Sequence, residues 1–212
     1  MSKYWIFDFD GTLVDSEKPI KECYKKITAA LAPSRIKIAE EILIGPTLQE
    51  TTKIILGSDN ANQYENFIEL FKKEYDENLL LDTKPYLGVF ETLQTLIKRG
   101  DKLAIATNKR QEATHKLINH YGWNEYFNWI GCANVEEEVI KNKNELVKFY
   151  IKNNPKFSNA YFVGDTENDG DAATNNKLKF IKVNYGYGQK QKWINSNIHS
   201  SINNFNELTS VN

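Results

Sequence analysis

The sequence has little cysteine, almost no charge imbalance and no long apolar run, and each shortage excludes a class of protein. Its 212 residues contain two cysteines, Cys23 and Cys132, which lie far apart without metal-like spacing, so neither a disulfide scaffold nor a zinc site is expected. The formal net charge of −1 gives no electrostatic reason to expect nucleic acid or an anionic membrane as a partner. No segment approaches the ~18 consecutive apolar residues that suggest a membrane span. We therefore expect no nucleic-acid partner and no membrane partner.

The amino terminus also lacks the pattern of a targeting segment. Lys3, Asp8 and Asp10 surround a very short apolar run, which fits neither a signal peptide nor a transit peptide. Together with the scarce cysteines, this predicts a soluble, cytoplasmic protein in a reducing compartment. A chain of this length forms one large domain or two small ones and can bury a sizeable core.

Short apolar runs alternate with helical patterns along most of the chain. Four runs are predicted to be buried parallel strands, because strands covered by helices on both faces carry near-continuous apolar sequence. They span residues 4–9, 102–107, 160–164 and 179–183. Helical periodicity is present at residues 89–98, 111–121, 143–152 and 169–176. This alternation predicts an α/β fold with a doubly wound parallel sheet.

One stretch interrupts the alternation and is predicted to be an inserted, all-helical region. Its helical patterns lie at residues 20–31, 39–44, 48–56 and 61–81, and they are joined by turn signals rich in Pro, Gly and Ser. We therefore divide the chain into an α/β core, residues 1–15 and 83–212, and a helical region, residues 16–82.

Two carboxylates stand at the carboxyl end of the first predicted strand, in the segment DFDGTLVDS that begins at Asp8. The carboxyl end of a central parallel strand is where open α/β sheets bind ligands. An Asp-Gly pair is often only a turn, and Gly11 permits a tight one. Asp8, however, is flanked by apolar residues, where an unneeded charge would be costly to remove from water. The pair Asp8 and Asp10 is therefore predicted to be functional.

Other polar residues follow the next strands. Thr107 and Asn108 end the second, and the segment GDTENDGDAA, which contains Asp165 and Asp169, follows the third. Such acids also stabilise the start of a helix, and this alternative stays open for Glu167 and Asp171. Gathered carboxylates repel, by ~4 kcal/mol for two charges ~4 Å apart at an effective dielectric constant near 20. Oxygen ligands suit Mg²⁺, so we expect that cation.

The segment at Asp8 resembles motif I of the haloacid dehalogenase-like (HAD) hydrolase superfamily, DxDGT[LV]xDS, at every defining position. The resemblance implies a Rossmann-like core in which Asp8 attacks phosphorus and Asp10 is the general acid and base. It also implies that Thr107, matching motif II, donates a hydrogen bond to the transferring phosphoryl group. Because Asp10 is present, dehalogenation is disfavoured.

Of the other motifs of this superfamily, motif IV is matched and motif III is only partly matched. Asp165 and Asp169 match motif IV; the resemblance implies that Mg²⁺ contacts the side chains of Asp8 and Asp165 and the backbone carbonyl of Asp10, with Asp169 mainly outside the inner coordination sphere. Motif III requires a lysine but lacks its usual proline here. We assign Lys143, and Lys141 remains an alternative.

The resemblance extends over nearly the whole chain. The helical insertion looks like the small helical cap of the superfamily, and the implied substrate-binding residues are Gly11, Asn108, Gly45 and Thr47. The pattern is most similar to phosphoglycolate-phosphatase-like members.

This resemblance implies a Mg²⁺-dependent phosphatase that hydrolyses small phosphorylated metabolites through a phospho-aspartate. The alternatives are a nucleotidase or pyrophosphatase, a sugar phosphomutase, or a catalytically silent binding module. A monomer and a homodimer both stay open.

Overall fold

A computed structural model describes residues 2–132 and 142–211. In chain order, its strands and α-helices are β1 (Tyr4–Phe7), β2 (Val14–Asp15), α1 (Glu17–Leu31), α2 (Ile36–Glu41), α3 (Leu48–Leu56), α4 (Tyr64–Glu74), β3 (Lys84–Pro85), α5 (Val89–Lys98), β4 (Lys102–Thr107), α6 (Gln111–His120), β5 (Trp129–Cys132), α7 (Lys143–Asn153), β6 (Tyr161–Gly164), α8 (Glu167–Asn175), β7 (Lys179–Val183) and β8 (Ile198–Ile202). Among the helices of these residues, none is both long and apolar enough to cross a membrane.

The chain divides into two compact units, one formed by Met1–Asp15 and Pro85–Asn212 and the other by Ser16–Lys84. The second unit ends two residues beyond the boundary expected from the sequence. The chain passes between the units at the two-residue strands β2 and β3.

The first unit contains a six-stranded sheet in the order β5-β4-β1-β6-β7-β8, in which every neighbouring pair is parallel. Helices connect the strands of this sheet in chain order as far as β7, and a 3-10 segment, Tyr187–Lys190, lies between β7 and β8, so the predicted α/β fold with a parallel sheet is confirmed. The order sets β4, β1 and β6 side by side. Parallel strands end at the same edge of a sheet, so the residues that follow these three strands are neighbours.

Burial explains why the central strands carry apolar sequence. Ile6 on β1 is fully buried in a cluster with Ala104, Phe162 and Val147, which come from β4, β6 and α7. Buried apolar surface of this kind contributes roughly 25 cal/mol per Å² to folding. The site therefore lies at the end of a strand whose last three residues are fully buried.

Two strands of the sheet, β5 and β8, were not expected from the sequence. Both lie at the edges of the sheet, where a strand has one pairing partner and part of its surface faces water. The sequence of β8, IHSSI, is mostly polar and four of its five residues are not buried. An edge strand of this kind lacks the continuous apolar run that identifies a buried one.

The second unit is helical, as expected, but its last predicted helix is not continuous. Residues 61–81 were expected as one helix, whereas α4 is preceded by a 3-10 segment, Ser58–Gln63, and followed by a π-helical turn, Tyr75–Leu79. An aromatic core fills this unit, with ring centroids 4.9 Å apart for Tyr24 and Phe71 and 5.3 Å apart for Phe71 and Tyr75. The π-helical turn contains Tyr75, which is buried in that core.

Candidate active site

The turn after β1 carries the first two carboxylates of the site. The backbone N–H of Asp8 donates to the carbonyl of Val163 on β6, 2.9 Å away, so pairing of the two strands continues as far as Asp8. The turn then closes at Gly11, whose φ of +80° favours glycine and whose N–H donates to Val14 O at 2.8 Å. Asp8 and Asp10 therefore lie at the carboxyl edge of the sheet.

Three carboxylates meet at this edge. Asp8, Asp165 and Asp169 are all buried, and each offers an oxygen within 4.8 Å of the other two. Asp8 follows β1 and Asp165 follows β6, which pair directly, so the sheet topology brings them together. Three buried acids in one place carry more negative charge than a protein interior tolerates without compensation.

Lys143 supplies part of the compensating charge. It is the first residue of α7, its side chain is 1% exposed, and its Nζ lies 2.8 Å from Asp8 Oδ1 and 2.5 Å from Asp169 Oδ1. Burial opposes its charged form, but the charges of Asp169 and Asp8 outweigh burial and raise the pKa of Lys143 further above its ordinary value. The rival Lys141 lies outside the described residues.

One lysine does not neutralise the cluster. Burial and the charge of Asp169 raise the pKa of Asp8 from 3.8 to about 7, against the opposing effect of Lys143. Burial, Asp169 and Asp8 raise the pKa of Asp165 as well. A divalent cation would relieve this repulsion, and buried carboxylate oxygens are the donor set that Mg²⁺ prefers. The residues at this edge therefore fit a Mg²⁺ ion.

Asp169 also fixes the geometry of the cluster. Its Oδ2 accepts hydrogen bonds from the backbone N–H groups of Asp165 and Thr166, at 3.2 and 2.9 Å, and from Thr166 Oγ1 at 2.7 Å. Thr166 is the N-cap of α8 and Asp169 is its third residue, so the contacts form a capping box. With Oδ1 against Lys143, Asp169 ties the start of α8 to the start of α7.

Asp165 is held by a loop whose role we did not predict from the sequence. The backbone N–H of Tyr187 donates to Asp165 Oδ2 at 2.6 Å, and Thr12 Oγ1 donates to Oδ1 at 3.2 Å. A side chain at Gly186 or Gly188 would overlap Asp165. Only glycine lets this loop approach so closely, and the signal in the sequence was the pair of glycines after β7.

Asp10 stands apart from the three-carboxylate cluster. Its two carboxylate oxygens lie 3.0 and 3.2 Å from Nζ of Lys109, a contact that sequence reasoning missed. The backbone N–H of Lys109 donates to Thr107 Oγ1 at 3.1 Å, which folds the chain back at the end of β4. Thr107 and Asn108 are both buried at this edge. The structure thus brings Asp10 next to the predicted motif II residues.

Gly45 and Thr47, the two site residues predicted in the helical unit, lie at and just before the start of α3. Thr47 is the buried N-cap of α3: its Oγ1 accepts from the N–H of Glu50, and Glu50 Oε2 accepts from the N–H of Thr47 at 2.9 Å. This reciprocal pair is a capping box. Gly45 has a φ of +146°, a backbone conformation that favours glycine. Substrate binding by Gly45 and Thr47 stays a prediction.

Glu167 and Asp171, for which two interpretations were open, lie on α8 near the site. Glu167 Oε1 accepts from the backbone N–H groups of Ile194 and Asn195, at 2.9 and 2.8 Å. Glu167 therefore holds the loop before β8, which is a structural role.

Comparison with known proteins places these residues in a family context. A family model described as haloacid dehalogenase-like hydrolase matches residues 5–183, which includes every predicted site residue. The phosphoglycolate phosphatase of Photobacterium profundum is 26% identical, over 99% of this chain and 95% of its own length. The pyrophosphatase PpaX of Halalkalibacterium halodurans is 28% identical, over 85% of this chain and 82% of its own.

The fold has close counterparts among solved structures. The crystal structure of a predicted phosphatase from Clostridium acetobutylicum superposes with a TM-score of 0.84, at 23% identity, and covers 99% of this chain and 97% of that one. This likeness extends over both units, so the fold of each belongs to a known architecture.

Proposed function

Because the chain belongs to the haloacid dehalogenase-like hydrolases, we propose that it is a Mg²⁺-dependent phosphatase that hydrolyses small phosphate monoesters through a phosphorylated Asp8. The observation that carries the proposal is the buried group of Asp8, Asp165, Asp169 and Lys143 at the carboxyl edge of the central strands. The phosphatase names of its relatives agree with this chemistry.

Asp8, Asp165 and the backbone carbonyl of Asp10 would hold the Mg²⁺ ion, with Asp169 beside them. When bound, the ion supplies positive charge that balances the carboxylates and the phosphate dianion. The protein residues prepare this place, since Tyr187 N–H and Thr12 Oγ1 orient Asp165.

Reaction would begin with attack of an Asp8 carboxylate oxygen on phosphorus, which forms the phospho-aspartate as the ester oxygen leaves. Asp10 gives its proton to that oxygen and then takes a proton from the water that hydrolyses the intermediate. Lys143 holds the Asp8 carboxylate by an ion pair, and the Thr107 hydroxyl donates to the transferring phosphoryl group. Gly11 and Asn108 complete the contacts to the phosphate.

Phosphoglycolate is the first substrate to examine, because relatives from Photobacterium profundum, Aquifex aeolicus and Agrobacterium fabrum are named phosphoglycolate phosphatases. Pyrophosphate is a second candidate, favoured by the relative from Halalkalibacterium halodurans. The helical unit is proposed to be the cap, in which Gly45 and Thr47 contact the substrate. Their part in the proposal depends on the sequence resemblance alone.

The test is phosphate release from a panel of esters, with MgCl₂ and with EDTA. The panel contains p-nitrophenyl phosphate, phosphoglycolate, nucleoside monophosphates, hexose phosphates and pyrophosphate. We expect turnover that requires Mg²⁺ and that is lost in Asp8→Asn, because an amide is a very poor nucleophile.

The matched control is Asp59→Asn, an exposed aspartate of the helical unit that should keep wild-type activity. Turnover that persists in Asp8→Asn would overturn the mechanism. A wild-type protein that releases no phosphate from any ester would instead favour the catalytically silent binding module.

A further inference from the structure

A second lysine, Lys109, lies against the site, and the mechanism above gives it no task. Its side chain is 5% exposed, and that of its partner Asp10 is 12% exposed. Both oxygens of the Asp10 carboxylate are within 3.2 Å of Nζ. An ion pair screened from water in this way fixes a side chain more firmly than a surface pair does.

We propose that Lys109 is a positioning residue that holds the Asp10 carboxyl group where it delivers its proton to the leaving oxygen. The proposal rests on the phosphatase function proposed above. When Asp10 is ionised, both oxygens contact Nζ; when one oxygen carries the proton, the other still accepts from Nζ. One contact can therefore orient both forms of Asp10.

The backbone explains why Lys109 reaches Asp10. Strands β4 and β1 pair in parallel, with Ile105 opposite Phe7, so the residues just after each strand are neighbours. The N–H of Lys109 donates to Thr107 Oγ1 and fixes the turn from which the lysine side chain leaves. The same hydroxyl is the predicted phosphoryl donor, so this turn links the phosphate contact to the proton donor.

The two lysines at the site contact different acids. Lys143 contacts Asp8 and Asp169, on the side of the nucleophile. Lys109 contacts Asp10, on the side of the proton donor. Loss of Lys109 should therefore slow reaction of esters whose leaving group needs a proton and spare esters whose leaving group departs without one.

Proton transfer from Asp10 accompanies cleavage of the ester bond. A bond forms between an Asp8 oxygen and phosphorus while the bond from phosphorus to the ester oxygen breaks, and the electron pair of that bond stays on the ester oxygen. That oxygen takes the proton of Asp10 and leaves as an alcohol or phenol. The Asp10 carboxylate that results faces the Lys109 ammonium, and it regains a proton from the attacking water.

The need for this proton depends on the leaving group. The nitrophenolate ion is stable enough to leave without it, whereas an unsubstituted phenolate gains more from protonation. Phenyl phosphate and p-nitrophenyl phosphate share a ring and differ in this respect. The ratio kcat/KM reports the steps up to departure of the leaving group, so hydrolysis of phospho-Asp8, where Asp10 acts again, does not enter.

The experiment compares kcat/KM for these two esters in wild type, Lys109→Met, Lys109→Arg and Asp10→Asn. In Lys109→Met we expect kcat/KM to fall about 10- to 100-fold for phenyl phosphate and less than about threefold for p-nitrophenyl phosphate. The scale follows from general acid catalysis, which typically accelerates a reaction ~10²–10⁴-fold. Asp10→Asn should show the same selectivity, and Lys109→Arg should recover part of the loss.

Lys26→Met is the matched control, because Lys26 pairs with Glu74 on the surface of the helical unit, 2.7 Å away. It should keep both values of kcat/KM. The positioning role is wrong if Lys109→Met lowers kcat/KM equally for both esters or lowers it for neither. An equal decrease would point to a general structural role. If the proposed function itself is wrong, the wild type will release no phosphate from either ester, which distinguishes that outcome from failure of the Lys109 proposal.

Discussion

The two units of this chain bury different kinds of polar group. The helical unit, Ser16–Lys84, is fully described, and its buried polar residues are hydroxyls such as Thr28 and Thr52, with no buried charge. The α/β unit buries charged side chains, namely Asp8, Asp101, Lys143, Asp165 and Asp169. Buried charge is costly, so a protein concentrates it where it has a use.

The ion pairs of the two units differ in the same way. In the helical unit, the pair of Lys26 and Glu74 has side chains that are 65% and 20% exposed. In the α/β unit, Lys143 and Asp169 are 1% and 0% exposed. The helical unit is therefore stabilised by ordinary packing, whereas the α/β unit accepts an electrostatic cost at the end of its central strands.

The largest expected difference between the units comes from removing one cation in each. Lys143→Met leaves buried carboxylates without their cation and should lower the free energy of unfolding by about 3 kcal/mol, since breaking a buried pair typically costs 3–5 kcal/mol. Lys26→Met should cost less than about 1 kcal/mol. Urea unfolding of both variants checks this, and equal losses would remove the distinction.

The pH dependence of stability should come mainly from the α/β unit. Burial and Asp169 raise the pKa of Asp8 to about 7 from 3.8, so in that interval the folded protein binds more protons than the unfolded one. Stability of the metal-free protein should therefore fall as the pH rises from about 4 to about 7. Glu74 should act in the opposite direction, because its contact with Lys26 lowers its pKa.

This same shift predicts how Mg²⁺ affects the midpoint of thermal unfolding. The ion binds ionised carboxylates, so MgCl₂ should raise the midpoint more at about pH 8 than at about pH 5. In Asp8→Asn the pH dependence should be smaller. An equal Mg²⁺ effect at both pH values would contradict the account.

A smaller effect should follow from filling the space beside Asp165. The added Cβ in Gly186→Ala would overlap Asp165, which should weaken Mg²⁺ binding and cost about 1–3 kcal/mol in stability. Gly122→Ala is the control, because its φ of +67° strains alanine but its Cβ would contact nothing within 4 Å. Calorimetric Mg²⁺ titration should separate the two variants, and unchanged affinity in Gly186→Ala would refute the role of this loop.

The smallest expected effect lies in the helical unit. Thr47→Ala removes the N-cap of α3 and should cost about 1 kcal/mol, whereas Thr47→Ser should cost little. If Thr47 also binds substrate, Thr47→Ala should raise KM at a temperature where the variant is fully folded. An unchanged KM would make its role purely structural.

The sequence predicts the central strands well because parallel strands buried on both faces carry continuous apolar runs, as in β1 and β4. It predicts the acids of the cluster because they follow those strands within recognisable motifs. The edge strand β8 was missed because partial exposure removes the apolar run, whereas β5, WIGC, is apolar but only four residues long and contains a glycine. The capping pattern from Thr47 to Glu50 is visible in the sequence, but we interpreted Thr47 only as a substrate-binding residue.

Contacts that depend on side-chain direction could not be predicted from the sequence. The sequence places Lys109 directly after Asn108, but only strand pairing shows that its ammonium group reaches Asp10. The N–H of Tyr187 meets Asp165 because two distant segments fold onto one edge of the sheet. Such contacts join residues far apart in the chain, whereas motifs describe neighbours.

The central claim is that Asp8 becomes phosphorylated during turnover. Wild type and Asp10→Asn are mixed with p-nitrophenyl phosphate and Mg²⁺, quenched in acid and mapped by mass spectrometry. Asp10→Asn should accumulate the intermediate, because nitrophenolate leaves without a proton while hydrolysis of phospho-Asp8 lacks its base. We predict one phosphoryl group on the peptide that contains Asp8. Rapid nitrophenol release with no phosphorylated peptide, or with the group on another residue, would contradict the account.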